Sequence, residues 1–257
     1  MTKHGQYIAY TTIVRKEVTR VLRIWPQTLF PPIITQTLYF LIFGKFIGAQ
    51  IMDIHGVSYM SFIIPGLVMM AVINNSFMNV VSSFFSSKFQ RSIEELLVSS
   101  TSNKIIIAGY VTGGVVRGII VGFLVFLVSI FFTRPQIHHL GIIFPFVFLT
   151  AVVFALGGLL NAIFAKKFDD ISIFPTFILT PMIYLGGVFY SIDNLPPFWQ
   201  MISKFNPVLY MVNGFRYGFH GFSDVNVLAS FMILVVFAAV LITVNLALLA
   251  RGTGLKT

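Results

Sequence analysis

Six long apolar runs constrain the fold of this chain more than any other feature of its sequence. They lie at residues 28–49, 60–82, 104–132, 140–165, 171–190 and 227–250. Each has about the 20 residues that an α-helix needs to cross ~30 Å of hydrocarbon. Charged residues make up only 10% of the 257 residues, against about 25% in a soluble domain. The sequence therefore predicts an all-α polytopic membrane protein whose six transmembrane helices form a single domain, residues 1–257.

The distribution of lysine and arginine predicts the orientation of these spans. With a cytoplasmic N-terminus, the inner segments carry Lys3, Arg15, Lys16, Arg20, Arg23, Lys88, Arg91, Lys104, Lys166, Lys167, Arg251 and Lys256. The outer segments carry Lys45, Arg134, Lys204 and Arg216. This excess is the positive-inside pattern, so both termini are expected in the cytoplasm. It also accounts for the net charge of +9 without nucleic acid as a partner.

The segment before the first span is expected to be an interfacial helix over residues 5–25. One face combines apolar and aromatic side chains, and these are Tyr7, Tyr10, Val14, Val18, Val21 and Trp25. Lys16, Arg20 and Arg23 fall on the opposite side, and Pro26 is expected to end the helix. A basic amphipathic helix of this kind lies in the cytoplasmic headgroup layer of a membrane.

The segment before the last span, residues 191–222, is too apolar for an ordinary loop and too interrupted for a span. Pro196, Pro197 and Pro207 divide it. Irregular backbone is tolerated at membrane depth only where protein covers it or where it lines a wet cavity. We therefore expect two short re-entrant helices at the outer side.

The sequence holds little that could power transport. Ion-coupled carriers need ionisable residues within their spans, and only Arg117 qualifies, with no carboxylate at mid-membrane. A phosphate-binding loop would read G-x-x-x-x-G-K-[ST], whereas the one Gly-Lys pair, Gly44-Lys45, precedes Phe46. If ATP drives this protein, the ATPase is a separate polypeptide.

The sequence offers no catalytic, cofactor or metal site. The chain has no cysteine. Asp169 and Asp170 follow two lysines in a short turn, which is typical of a solvated charge cluster. His138 and His139 indicate an ordinary loop rather than a zinc site, since zinc needs three or four converging ligands. A membrane-embedded enzyme is therefore disfavoured.

A short charged helix interrupts this apolar chain within residues 87–103. Ser92-x-x-Glu95 matches a capping box, in which each side chain bonds the other residue's backbone amide. Ile93, Leu96 and Leu97 would supply an apolar face. The helix is either a plain connector or a docking helix that presents its acids to a cytoplasmic partner.

Three stretches resemble the membrane subunits of type-2 ABC exporters, and in particular the YadH-like permeases of Gram-negative bacteria. They are "RIWPQTLFPPIITQTLYFLIFG" at 23–44, "KFQRSIEELLVSSTSNKIIIAGY" at 88–110 and "FDDISIFPTFILTPMIYLGGVFYSIDNLPPFWQMISKFNPVLYMVNGFRYGF" at 168–219. The third contains the long spacing Leu195-Pro196-x(10)-Pro207-x-x-Tyr210-x(5)-Arg216. The resemblance covers essentially the whole chain.

This resemblance implies a complex of two permease copies with two copies of a cytoplasmic ATPase subunit, which would bind the ATP and magnesium. The helix at 92–100 would be the coupling helix that docks on the ATPase, through Arg91, Ser92, Glu94, Glu95, Leu96 and Leu97. The first and fifth spans would face the dimer axis and line the path. The re-entrant segment, with Pro196, Pro207, Tyr210 and Arg216, would close its outer end.

Residues of the fifth span fit such a path. Pro175 and Pro181 permit a bend, and Gly186-Gly187 allows a close helix approach. Aromatic side chains form a wall, either for packing or for cargo: Phe174, Phe177, Tyr184, Phe189 and Tyr190. Nearby, Arg216 and Lys204 either anchor to lipid phosphates or pair with Asp193 or Asp224.

The predicted function is the permease subunit of an ATP-driven exporter of the bacterial inner membrane. A path with few charges favours an amphipathic or hydrophobic cargo, such as a lipid, a drug or a glycan. The alternative is a stand-alone ion-coupled carrier or channel.

Overall fold

The computed structural model describes residues 3–135 and 137–254, and this part of the chain folds into a helical bundle. The first half contains α1 (Lys3–Arg23), α2 (Trp25–Tyr39, continued by a π-helix Phe40–Ile47 and a 3₁₀ turn Gly48–Gln50), α3 (Tyr59–Phe89), α4 (Ser92–Val98) and α5 (Asn103–Ile130). The second half contains α6 (Leu140–Phe164), α7 (Asp170–Phe174), a π-helix (Pro175–Leu179), α8 (Thr180–Tyr184), a 3₁₀ turn (Ile192–Asn194), α9 (Pro197–Lys204), α10 (Pro207–His220) and α11 (Val227–Arg251).

The long helix α3 forms the centre of the bundle. It has 31 residues and is therefore about 46 Å long. Most of its side chains are buried, including Phe62, Met69, Phe77 and Phe84, and it packs against α5, α6 and α10. Polar side chains at its far end are buried too, and so α3 continues through Phe89, well past the predicted boundary at residue 82.

Glycines on α5 let two neighbouring helices approach closely. A Cβ atom on Gly113 would lie 2.5 Å from the Cβ atom of Glu17 in α1. On the adjacent face, a Cβ atom on Gly118 would collide with Ser76 of α3, and one on Gly122 would lie 2.5 Å from a methyl carbon of Val72. Small residues at such crossings are the usual means of close packing between membrane helices.

Five helices in the described residues are long and apolar enough to cross a membrane. They are Trp25–Gln50, Tyr59–Phe89, Asn103–Ile130, Leu140–Phe164 and Val227–Arg251. The predicted fifth span, residues 171–190, forms a shorter apolar helix, Asp170–Tyr184, whose 15 residues correspond to about 22 Å. It ends early because Gly187 adopts a left-handed backbone with φ of 73° and turns the chain.

The bundle has two distinct ends. At the first, here called the α4 end, Lys88 reaches the carbonyl groups at the end of α6, and Gln6 of α1 contacts Ser100. Gly254, beyond α11, packs on Ile163 there, so both described ends of the chain lie at the α4 end. Lys256 lies outside the described residues. The opposite end carries the segments 51–58, 131–135, 137–139, 185–206 and 221–226. There, His220 Nε2 at the end of α10 lies 3.0 Å from the carbonyl oxygen of Ser61 in the first turn of α3.

Helix α1 packs along α5 through a buried line that shares only Val21 with the predicted apolar face. Ile13, Glu17 and Val21 are buried, whereas Tyr7 and Trp25, from the predicted apolar face, are exposed. Arg20 was predicted on the outward basic side. The structure instead places its guanidinium against Asn79 of α3.

The break between α1 and α2 falls at Ile24. Pro26 is the second residue of α2, where its missing N–H would have no partner within the helix. This proline therefore begins a helix rather than ending one. Thr28 reinforces the break by donating its hydroxyl to the Val21 carbonyl at 3.3 Å.

Candidate functional site

The short helix α4 leaves the end of α3 through a tight turn at Arg91. Arg91 has φ of 60°, a left-handed conformation that costs a residue with a side chain about 1–2 kcal/mol. Backbone bonds fix the turn, with Arg91 N donating to the Lys88 carbonyl and Glu94 N donating to the Arg91 carbonyl. The direction of α4 is therefore set by the backbone.

The predicted capping box of α4 is wrong. Arg91 occupies the N-cap position and makes no side-chain cap bond. Ser92 is the first helical residue, and its hydroxyl donates 3.2 Å back to the Ser87 carbonyl in the last turn of α3. The Glu95 side chain consequently stays exposed. The helix also ends at Val98, two residues before the predicted boundary at 100.

The apolar face predicted for α4 is confirmed. Ile93 is buried, and Leu96 and Leu97 pack partly against the core. The outward side presents Glu94 and Glu95 together with Val98, whose side chain is 88% exposed. An acidic surface with one exposed apolar residue thus projects from the bundle on a helix whose other side is anchored.

Lys88 anchors the base of α4 to α6, a role that the sequence analysis missed. Its Nζ atom donates to the carbonyl oxygens of Ile163 at 2.8 Å and Ala165 at 2.7 Å. These carbonyls end α6, where no intrahelical donor is available. The lysine is buried, and so it is a structural tie rather than a solvated charge.

Gln6 anchors the other end of the α4 segment to α1. Its side-chain Nε2 donates to the Ser100 carbonyl at 3.0 Å, and its Oε1 accepts from the Ser102 amide at 3.1 Å. One amide group thus clamps the linker between α4 and α5. No feature of the sequence near Gln6 indicated this contact, which joins residues about a hundred positions apart.

A buried polar network lies where α1 meets α3 and α5. The Glu17 side chain is fully buried and accepts from Arg20 Nη2 at 3.1 Å and from the Ser83 hydroxyl. Arg20 also donates to the Asn79 side-chain oxygen at 3.0 Å. Deeper in the bundle, Arg117 Nη2 donates to Asn75 Oδ1 at 3.2 Å. The buried carboxylate of Glu17 was not expected from the sequence.

The turn between α6 and α7 at the α4 end holds the predicted charge cluster. Asp170 accepts from the backbone amides of Lys166 and Lys167 at 2.8 and 2.9 Å. These two bonds, with a smaller contribution from the lysine charges, hold the pKa of the Asp170 carboxyl below its usual value. The group is thus a negatively charged surface cap at neutral pH.

The predicted path residues divide between packing and exposed positions. Phe174 stacks on Phe77 in the bundle, with ring centroids 5.5 Å apart, whereas Phe177 is 73% exposed. Pro175 begins a π-helical turn and Pro181 lies near the start of α8. A Cβ atom on Gly186 would lie 2.6 Å from a methyl carbon of Val208, which shows the expected close approach to α10.

Tyr184 connects this segment to α2. Its hydroxyl lies 3.0 Å from that of Tyr39, and its ring stacks on Phe189. Phe189 in turn contacts Phe43 at a centroid distance of 4.7 Å. The predicted first and fifth spans are therefore neighbours, joined by an aromatic cluster of Tyr39, Phe43, Tyr184 and Phe189.

The segment 191–222 folds into two short helices, α9 and α10, after a 3₁₀ turn. Pro196 and Pro207 lie at their starts, and Tyr210 donates its hydroxyl to the Lys204 carbonyl at 2.6 Å. Arg216 is fully buried. It lies 3.9 Å from Asp224 Oδ2 and donates to the Gly187 carbonyl at 2.6 Å. Of the two alternatives, pairing with Asp224 is confirmed, because a buried guanidinium has no access to lipid phosphate.

Comparison with known protein families identifies the class to which this helical membrane bundle belongs. Residues 8–220 match the family described as ABC-2 type transporter. The chain belongs to this family and is a multi-pass membrane protein. The resemblance seen in the three sequence stretches is thus confirmed.

Two relatives place the chain within the family. It is 55% identical over 254 residues, 99% of both chains, to the inner membrane transport permease YadH of Escherichia coli strain K12. It is 24% identical over 217 residues, 83% of both chains, to nodulation protein J of Rhizobium leguminosarum bv. viciae.

Proposed function

We propose that this protein is the permease subunit of an ATP-driven exporter, and that α4 is the coupling helix that docks on a separate ATPase. The observation that carries the proposal is the construction of α4. Its apolar side is anchored on the bundle, while Glu94, Glu95 and Val98 face outward. A helix that only connected α3 to α5 would need neither these firm anchors nor an acidic surface facing away from the bundle.

The anchors of α4 support its role in transmitting force. Ser92 joins it to α3, Lys88 joins its base to α6, and Gln6 joins its exit to α1. A push on α4 would therefore move three helices as one body. Rigid-body movement of packed helices is a common form of conformational switching.

A separate ATPase supplies the energy in this proposal because the chain lacks its own phosphate-binding loop. The ATPase would be cytoplasmic and bind ATP and magnesium, with two copies serving a permease dimer. The membership in the ABC-2 type transporter family supports this arrangement. The name of the Escherichia coli relative further supports a place in the bacterial inner membrane.

The topology that follows has six crossings, with both termini and α4 in the cytoplasm. The remaining crossing would be made by residues 171–190, which contain α7 after Asp170, the π-helix, α8 and the turn that follows. The exposed side chains Tyr7 of α1 and Trp25, the first residue of α2, would face the cytoplasmic headgroups. Helices α9 and α10 would re-enter the outer leaflet and close the path.

The path would run along α2 and the α7–α8 segment, at the interface between two copies of the chain. Apolar residues of α2 are exposed along one side, among them Phe30, Ile34, Leu38 and Ile42, and Phe177 is exposed on the neighbouring segment. These surfaces carry few charges. An amphipathic or hydrophobic cargo, such as a lipid, a drug or a glycan, suits them best.

The alternative of an ion-coupled carrier draws new support from Glu17, because it is a buried carboxylate. However, Glu17 already holds an ion pair with Arg20 and a hydrogen bond from Ser83. Breaking a buried pair is costly, which favours a structural role for this group over a proton-carrying one.

The test is purification of the full chain from its native membrane in mild detergent, with mass spectrometry of the proteins that co-purify. The wild type should retain a stoichiometric soluble chain that carries G-x-x-x-x-G-K-[ST]. The double substitution Glu94→Lys/Glu95→Lys should abolish this association. A matched control is Asp169→Lys, because Asp169 is an exposed acid at the same end of the bundle but outside α4.

The outcomes separate the two functions. Retention of the ATPase by the double variant would refute the docking role of α4. Purification of the wild type without any ATPase, together with solute transport in vesicles that contain only this chain, would instead establish a gradient-driven carrier.

A further inference from the structure

Three side chains that can bind a metal converge at the end of the bundle opposite α4. They are His55 from the loop before α3, Asp193 from the 3₁₀ turn before α9, and Asp224 from the loop after α10. One ligand atom of each lies within 4.8 Å of the others. Each comes from a different loop, so the fold and not the local sequence brings them together.

Asp224 distinguishes this cluster from an ordinary group of surface acids. Its side chain is only 1% exposed, yet its Oδ1 atom has no hydrogen-bond partner. A buried carboxylate oxygen without a partner destabilises the fold, because it has lost its hydrogen bonds to water and has formed none within the protein. This oxygen faces Nε2 of His55 at 4.0 Å.

The other oxygen of Asp224 is already bound, and this fixes the direction of Oδ1. The backbone amide of Ile192 donates to Oδ2 at 3.1 Å, and Arg216 Nη1 lies 3.9 Å from the same atom. The amide of Asp224 donates to the Asn213 side-chain oxygen at 3.0 Å. Such outer partners commonly hold a metal-binding carboxylate in position and leave one oxygen for the ion.

His55 is also held in place. It lies in a tight turn in which Ile54 and Val57 exchange two backbone hydrogen bonds, at 3.0 and 3.1 Å. Its backbone φ is 51°, and its ring lies 4.9 Å from that of Phe222. The imidazole is thus presented toward Asp224 by both its backbone and its aromatic neighbour.

We propose that His55, Asp193 and Asp224 form a binding site for a divalent transition-metal ion, with Zn²⁺ as the best match. One imidazole nitrogen and two carboxylate oxygens suit zinc, and water would complete a tetrahedral site. Magnesium and calcium prefer sites made of oxygen alone. The charges agree, because two carboxylates and one guanidinium, Arg216, leave a net charge of −1 for the cation.

Binding requires only a small contraction. Ligand atoms around tetrahedral zinc lie roughly 3.4 Å apart, compared with separations of up to 4.8 Å here. The side chains of His55 and Asp193 are exposed, and small rotations about their side-chain bonds would bring the ligand atoms this much closer. The bound ion would crosslink three outer loops. This stabilising effect requires neither an ATPase nor the cargo.

The proposal is tested by titrating Zn²⁺ into the full chain, purified in detergent without a histidine tag and stripped of metal with a chelator. We expect one Zn²⁺ per chain in a competition assay with a chromophoric chelator. His55→Asn should weaken binding at least 10-fold while it preserves the turn, because asparagine tolerates a left-handed backbone. Asp193→Asn, at an exposed position, should also weaken it.

The matched control is His138→Asn/His139→Asn, which removes the neighbouring pair of outer histidines that lie outside the proposed site. It should bind Zn²⁺ as the wild type does. A second readout is thermal unfolding, since Zn²⁺ should raise the Tm of the wild type and the control but not that of His55→Asn. Binding of no Zn²⁺, unchanged binding by His55→Asn, or loss of binding in the control would each overturn the proposal.

Discussion

The ammonium group of Lys88 lies 2.8 Å from the carbonyl oxygen of Ile163 and joins the end of α3 to the end of α6. Three residues further along, the chain turns into α4. The proposed coupling helix is therefore anchored by a charged side chain that donates hydrogen bonds to backbone carbonyl groups. Ion pairs between side chains are the more common contact at a protein surface. Such ties between charged and backbone groups contribute more than bonds between neutral groups.

Replacement of this lysine should weaken the tie without altering the outer surface of α4. Lys88→Met retains much of the apolar stem but leaves the carbonyls of Ile163 and Ala165 without their donor. Hydrogen bonds of charged groups are worth about 1.5–3 kcal/mol, so the Tm of the purified protein should fall by several degrees. Lys104→Met, at an exposed position at the same end, is the control, and an equal fall in both variants would contradict a specific role.

The close packing of α1 on α5 should depend on Gly113. A methyl group at this position would lie 2.5 Å from the Cβ atom of Glu17, which forces α1 away from the bundle. Gly113→Ala should therefore destabilise the protein by about 1–3 kcal/mol, as overpacking does. Gly157→Ala is the matched control, because its added Cβ atom would meet the Phe77 ring at an ordinary 3.8 Å. Thermal unfolding of both variants gives the comparison.

Acidification should destabilise the end of the bundle opposite α4 through His220. Burial lowers the pKa of this imidazole, and the positive charge of Arg216 adds to the shift, although the Ser61 carbonyl opposes it. Because its folded pKa lies below the unfolded value of about 6.5, the unfolded chain binds more protons, and stability falls as the pH drops through this range.

This pH effect is measured as the difference in Tm between pH 7.5 and pH 5, with a chelator present to remove bound metal. The Tm of the wild type should fall more between these pH values than the Tm of His220→Gln, because glutamine cannot take up the proton. His4→Gln, at an exposed position in α1, should behave as the wild type. Equal losses in all three proteins would show that His220 does not contribute.

The absence of cysteine from the sequence permits a direct test of the orientation. Single cysteines at Val98 and Phe131 would be well exposed, since these side chains are 88% and 90% accessible at opposite ends of the bundle. In intact cells whose outer membrane has been made permeable, a maleimide that cannot cross the inner membrane reaches only its outer side. It should label Phe131→Cys but not Val98→Cys. Labelling of Val98→Cys alone would reverse the proposed orientation.

The sequence predicts the helices well where apolar length decides the outcome. The bounds of α5, α6 and α11 lie close to those expected, because a continuous apolar run has few alternatives in a membrane. The predicted fifth span differs, since Gly187 turns the chain and its carbonyl oxygen accepts a hydrogen bond from Arg216. Hydropathy alone carries no information on such a contact.

The anchors of α4 show what sequence reasoning lacks. The pattern Ser92-x-x-Glu95 fits a capping box, yet the serine hydroxyl bonds the Ser87 carbonyl once α3 extends that far. Gln6 and Glu17 lie in a helix whose apolar pattern predicted lipid contact, and their partners are remote in the chain. The local sequence predicts that the acids of α4 are exposed. The contacts that hold α4 in place depend on tertiary structure and cannot be read from the local sequence.

The two π-helical segments, Phe40–Ile47 and Pro175–Leu179, belong to the two elements that the aromatic cluster joins. Each wide turn contains a residue more than α-helical geometry would need, and π-turns in helices often accompany function. Release of that extra residue would turn the rest of the helix by about 100°. Tyr39 immediately precedes the first π-helix, and Tyr184 lies five residues after the end of the second. The pair is therefore placed where a twist of either helix, with no change in its tilt, would separate the two hydroxyls.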